Sequence, residues 1–206
     1  MSQEEAVKAL VQLAKAEDEQ GMQSLLEAGV SINSLDEQGR TAVLIVTEEN
    51  NPSALRFLVK NGADIDAYDP EYKQVDPTAF LYAGARGFNE LLAILIPEHP
   101  DVTLTNGYGG TALIPAAEKG HLETVRLLLE KTNIDVNHVN KLGWTALLEA
   151  VILADGGNTQ QEIVKLLLAH GADASIPDNQ GVTALEHAKN KGFTEMAALL
   201  AAKPGE

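Results

Sequence analysis

The chain has 206 residues, 45% of them hydrophobic, and a formal net charge of −15. That is enough apolar material for a core, and the charge repels nucleic-acid phosphates and anionic membranes, leaving basic, neutral or apolar partners. With no cysteine, disulfides, thiol catalysis and thiolate metal sites are excluded.

The first segment, MSQEEAVKAL, carries Glu4 and Glu5 where a secretion signal needs a basic stretch and then an apolar run. No stretch approaches the roughly 18–20 apolar residues that cross a bilayer. The expectation is a soluble, cytoplasmic protein with no membrane and no nucleic-acid partner.

Further along, one pattern recurs: a glycine turn, Thr-Ala, then an apolar run. The threonines are Thr41, Thr78, Thr111, Thr145 and Thr183, with successive spacings of 37, 33, 34 and 38. A second marker, an apolar run ending in a turn, gives 33 residues from Gly29 to Gly62. From Thr41 to Gly62 is 21 residues, and Gly29 to Thr41 and Gly171 to Thr183 are each 12. The period is therefore 33, split 21 and 12. Gly62 to Thr78 is 16 and Thr145 to Gly171 is 26, which places about four extra residues in 68–76 and about five in 153–162. A fixed period with small insertions is the signature of stacked repeats.

Each recurring residue has a physical role. The threonine is expected to cap a helix N-terminus, typically worth about 1 kcal/mol. Gly87, Gly120 and Gly192 are expected to end first helices in the left-handed region. The pairs Leu128/Leu129 and Leu167/Leu168 are expected to face neighbouring helices. One unit cannot stand alone, because ordering 33 residues costs roughly 50 kcal/mol at about 1.5 kcal/mol each. Units must stack, each stabilised by its neighbours.

With these residues in view, the chain resembles the ankyrin-repeat family. GGTALIPAAEKGHLETVRLLLEKTNIDVN (109–137) follows that family's unit nearly throughout, and GADIDAYD and GADASIPD repeat its exit turn. The resemblance implies an all-α solenoid of helix-turn-helix units with turn or hairpin fingers. It covers about residues 3–203, as one domain of about six units (3–35, 36–68, 69–105, 106–139, 140–177, 178–203), with the first and last as polar-faced caps. The chain also departs from the family pattern. The usual Pro after Thr is Ala in all five Thr-Ala units, and the usual His is Leu44, Leu81, Ile114, Leu148 or Glu186. The Thr–His hydrogen bond is thus expected to give way to apolar packing. Pro115 is expected to distort the start of its helix. In the first unit Lys8 stands in the threonine's place.

No catalytic or metal constellation stands out. His99, His121, His138, His170 and His187 lack metal-pair spacing, and His121 and His170 fall at turn positions of the repeat. Glu48 and Glu49 are adjacent, so on a helix they diverge by about 100° rather than converging on a substrate. The segment 155–162 lacks the residues of a phosphate or calcium loop and reads as a connection. No cofactor and no metal are expected.

The resemblance places partners on a concave surface of turn tips and first helices. Most positions there are polar, but Tyr72, Tyr108, Leu142, Trp144, Ile152 and Leu153 are not. Trp144 is the sole tryptophan in a chain only 4% aromatic. Apolar and aromatic residues on such a surface are candidate binding hot spots, framed by Arg40, Arg86, Lys119 and Lys141. The expected function is a non-enzymatic adaptor or regulator, a monomer that binds a protein partner. The alternative is an acidic inhibitor filling a basic groove on an enzyme. A catalytic pocket shaped by the two insertions is a distant third.

Overall fold

In a computed structural model, which describes residues 1–71 and 75–202, the chain is all-helical, with no strand among the described residues. Among the described residues twelve α-helices follow one another in pairs. They form two compact bodies, Met1–Ala83 with Phe88–Asp101, and Gly84–Gly87 with the chain from Val102 onward.

The first body holds α1 (Gln3–Ala16), α2 (Glu19–Glu27), α3 (Ala42–Glu48), α4 (Pro52–Lys60), most of α5 (Ala79–Arg86) and α6 (Asn89–Leu95). Helix α1 packs on α2, α3 and α4, and α4 on α6. Leu10, Met22, Leu44, Leu55, Leu58, Leu91 and Leu92 fill the core between them. Its start differs from the repeat template. The helix begins at Ser2, six residues ahead of Lys8, with a reciprocal box in which Ser2 Oγ accepts from Glu5 N at 3.2 Å and Glu5 Oε2 from Ser2 N at 2.8 Å. The local capping box, rather than the repeat position of Lys8, sets where that helix starts.

The second body holds α7 (Leu113–Glu118), α8 (Leu122–Lys131), α9 (Ala146–Ile152), α10 (Asn158–Ala169), α11 (Ala184–Asn190) and α12 (Thr194–Ala201). Here α9 packs on α7, α10 and α11, and α10 on α8 and α12, so each helix meets its own pair and the adjoining one. That nearest-neighbour pattern is the stacking the period requires. Leu128 and Leu167 are fully buried, whereas Leu129 and Leu168 are only half-buried. The expectation that both leucines of each pair face inward is thus half right, because neighbours on a helix point about 100° apart. The inserted segment before α10 is ordered rather than a bare connection. Gly157 N donates to Asp155 Oδ1 at 2.8 Å, Gln161 Nε2 donates to Gly156 O at 2.9 Å, and a Cβ on Gly156 would meet the Phe193 ring at 2.6 Å.

Thr41, Thr78, Thr145 and Thr183 accept from the backbone N–H three residues on, at 3.1, 3.3, 3.2 and 3.3 Å. At Thr183 the expected replacement of the Thr–His hydrogen bond by apolar packing does not occur. Glu186 Oε2 accepts from Thr183 N at 2.8 Å and from its hydroxyl at 2.9 Å, a carboxylate version of the family's bond. Thr111 is the exception. In the other four units the N–H four residues on, at Ile45, Tyr82, Glu149 and His187, donates to the threonine carbonyl at 3.0 Å. Pro115 occupies that place and has no N–H. Ile114 N turns to the Thr111 carbonyl at 3.2 Å, α7 starts one residue late, and Thr111 Oγ1 is left buried without a partner. Pro115→Ala restores the helix bond and frees Ile114 N for the hydroxyl. Set against the freedom alanine returns to the unfolded chain, the expected gain is about 1–2 kcal/mol. It is read as a higher urea midpoint at unchanged slope.

Candidate functional site

Every fully described tip is built by the same device. Asp36, Asn106, Asn140 and Asp178 each accept two tip N–H groups through Oδ1, from the residues two and four further on, at 2.8–3.0 Å. The backbone N–H of the same four residues donates to the carbonyl four on, at 2.9–3.0 Å. Neighbouring tips of the second body are tied together as well. Lys141 N donates to Tyr108 O at 3.0 Å, Lys141 Nζ to Gly107 O at 3.0 Å, and Asn179 Nδ2 to Leu142 O at 2.9 Å. Gly143 is required at its place: its φ is +82°, and a Cβ there would meet the Asn179 side chain at 2.4 Å.

These tips present Tyr108, Leu142 and Trp144 on a rigid support. Tyr108 is 59% exposed and Leu142 49%, while the Trp144 side chain is half-buried. From the last turn of α9 and its cap comes Leu153, 51% exposed. These four of the predicted site residues line one cavity of about 250 Å³, with α7 and α9 behind them.

The other expected residues stand elsewhere. Ile152 is half-buried and Arg86 is exposed in the last turn of α5, and neither lines the cavity. Lys119 is exposed, but its Nζ donates to Ala85 O at 3.0 Å, a cation set against the C-terminal end of a helix. Among the framing cations, Lys141 is spent on Gly107 O and Arg40, in the first body, on Asp36 and Glu48 at 2.9 and 3.1 Å. Tyr72 lies outside the described residues.

Among the lining residues not anticipated as parts of a site are Pro115 and Glu149. Both stand four residues after the capping threonine, where the equivalent residues are Ile45, Tyr82 and His187. Each breaks a local rule, a proline where a helix needs a donor and an acid where the helix turns inward. Such breaks tend to mark functional positions. Glu149 is 4% exposed; its Oε1 accepts from Asn140 Nδ2 at 3.0 Å and its Oε2 has no partner. Burial, and then the nearby Glu118 carboxylate, push its pKa up to about 7 against the opposing Asn140 bond. The available signal was the threonine alignment itself, read one turn further into the helix.

The histidines serve the scaffold. The His121 ring packs on Gly87, where a Cβ would meet it at 2.9 Å, and burial followed by the Lys119 charge holds its pKa below the ordinary range. His138 Nε2 lies 2.7 Å from Gly109 O, His170 Nδ1 2.9 Å from Leu166 O, and His187 Nε2 2.7 Å from Asp178 Oδ2. Among the described residues no cluster of His, Asp and Glu could hold a metal ion, and no helix is long and apolar enough to cross a membrane.

Models of ankyrin repeats match residues 80–175 and 10–59. An ankyrin repeat protein of Escherichia coli (strain K12), YahD, is 42% identical over 88% of this chain and 88% of its own. The chain belongs to the ankyrin-repeat family. The crystal structure of an ankyrin repeat domain from Acinetobacter baumannii superposes with a TM-score of 0.83 at 44% identity, covering 93% of this chain and 95% of that one. The ankyrin repeat protein EF0377 gives 0.82 at 40%, covering 95% and 97%. The fold is therefore the ankyrin solenoid that the resemblance implied. Ankyrin repeats are generally protein-interaction modules, which makes the exposed tip residues, rather than any reactive group, the natural place to look for function.

Proposed function

We propose that this ankyrin-repeat protein is a non-enzymatic adaptor or regulator that binds a protein partner through the tips and first helices of its second body. One observation carries the reading: Tyr108, Leu142, Trp144 and Leu153 converge on a single cavity although they come from three different stretches of sequence. The first three of them stand on tips cross-tied by hydrogen bonds. Aromatic and aliphatic side chains held this way lose little freedom on binding, which is how a small area yields useful affinity. The alternative, an acidic mimic in a basic groove, rests on the net charge of −15 alone, and the mostly apolar lining favours the first reading.

The test is retention of a native-host partner on the immobilised protein, compared with Tyr108→Ala and Leu153→Ala forms. Both side chains are more than half exposed, so their loss leaves the fold intact. The partner retained by the parent protein is expected to be lost from both. Equal retention on all three would remove this face from consideration.

A further inference from the structure

The cavity is apolar at its rim and acidic within. Glu149 lines it nine-tenths and more buried, with Oε2 lacking any hydrogen-bond partner, and Glu118 lines it alongside. Among the described residues no basic side chain lines it. A buried carboxyl oxygen without a donor is costly, the more so when ionised. What would relieve it is a donor brought from outside. Asn140 is already used on Oε1, and the nearby cations Lys119 and Lys141 are held by backbone carbonyls.

Size narrows the occupant. At about 250 Å³ the cavity falls below the range of about 300–1,000 Å³ usual for enclosed small-molecule ligands. A single long side chain suits it better. The indole and phenol at the mouth offer ring faces to a cation, and the leucines offer apolar surface to an aliphatic stem.

Resting on the partner-binding reading above, we infer that this cavity receives one basic side chain, lysine or arginine, from the bound protein. Its stem packs between Leu142, Trp144 and Leu153, and its charged head supplies Glu149 Oε2 with the missing donor beside the Glu118 carboxylate. The charge of −15 steers such a partner toward the surface, and the buried carboxyl provides selection at the end of the approach.

Because Trp144 is the only tryptophan, its indole N–H gives a single NMR signal at the cavity. The probes are Nα-acetyl-arginine amide, Nα-acetyl-lysine amide and the neutral Nα-acetyl-norleucine amide, titrated into the full chain. The basic probes are expected to shift that signal saturably and at least about fivefold more tightly than norleucine. Glu149→Gln and, independently, Glu118→Gln are expected to erase most of that preference while the spectrum stays folded. If norleucine binds as tightly as arginine, or both variants keep the preference, the basic occupant is overturned while the partner-docking face stands. If no probe gives a saturable shift, the side-chain pocket itself is overturned. Loss of the docking face would instead show as unchanged partner retention by Tyr108→Ala and Leu153→Ala.

Discussion

Trp144→Ala is expected to weaken partner binding by at least about 30-fold, the roughly 2 kcal/mol that marks an interfacial hot spot. The residue is half-buried, with its backbone fixed on both sides: its N–H donates to Asn140 Oδ1 at 3.0 Å and its carbonyl accepts from Asn140 N at 3.0 Å. The ring is therefore pre-set, and its remaining exposed face is available to a partner at low entropic cost. Trp144→Phe keeps an aromatic plate and should lose no more than about fivefold. Thermal melts of both variants separate this from a packing role. A ring that only supported the tips would change the melt and leave the affinity of the folded protein untouched.

Glu149→Gln is expected to make the protein more stable at neutral and alkaline pH and to leave it unchanged near pH 4. The carboxyl's pKa lies near 7 in the fold against an ordinary 4.5, so the folded state holds the proton more tightly. Stability is thus fully present below about pH 4.5, falls as the unfolded chain ionises, and levels off above about pH 7. A shift of that size is at most about 3 kcal/mol, and solvent at the cavity mouth reduces it to about 1–2 kcal/mol. Urea unfolding of the two proteins at pH 4 and pH 8 measures the difference directly. Parallel curves at both values would mean that Glu149 is ionised and well accommodated in the free protein.

The repeat could be read from sequence because it is repeated. Five threonines in register, the glycines that end first helices and the leucines of second helices each testify to the same period, so an error at one place is corrected by the others. The residues misread were those without such a check. Lys8 was carried into a threonine's place by the period, although Ser2 and Glu5 already spelled a capping box three residues apart. Glu186 was counted as a loss of the helix-start hydrogen bond, although a glutamate three residues after a capping threonine supplies one of its own.

The site was half legible for a related reason. Tyr108, Leu142, Trp144 and Leu153 stood out because large apolar groups on a predicted surface need explaining. That they surround one cavity depends on how adjacent tips and helices pack, which spacing does not give. Lys119 and Lys141 looked like free cations by position, yet each reaches back to a carbonyl 34 residues earlier. Glu149 escaped notice because its neighbours Leu147, Leu148 and Val151 made the helix read as plain core. An acid in that company is costly unless something comes to meet it.

Site-specific photocrosslinking tests the partner face most directly. A photoreactive phenylalanine analogue at Leu153, at the edge of the cavity, is expected to join covalently to the partner in good yield. The same analogue at Arg126, whose side chain is 43% exposed on the second helix of a repeat, is expected to give none. Crosslinking from Arg126 with none from Leu153 would contradict the account.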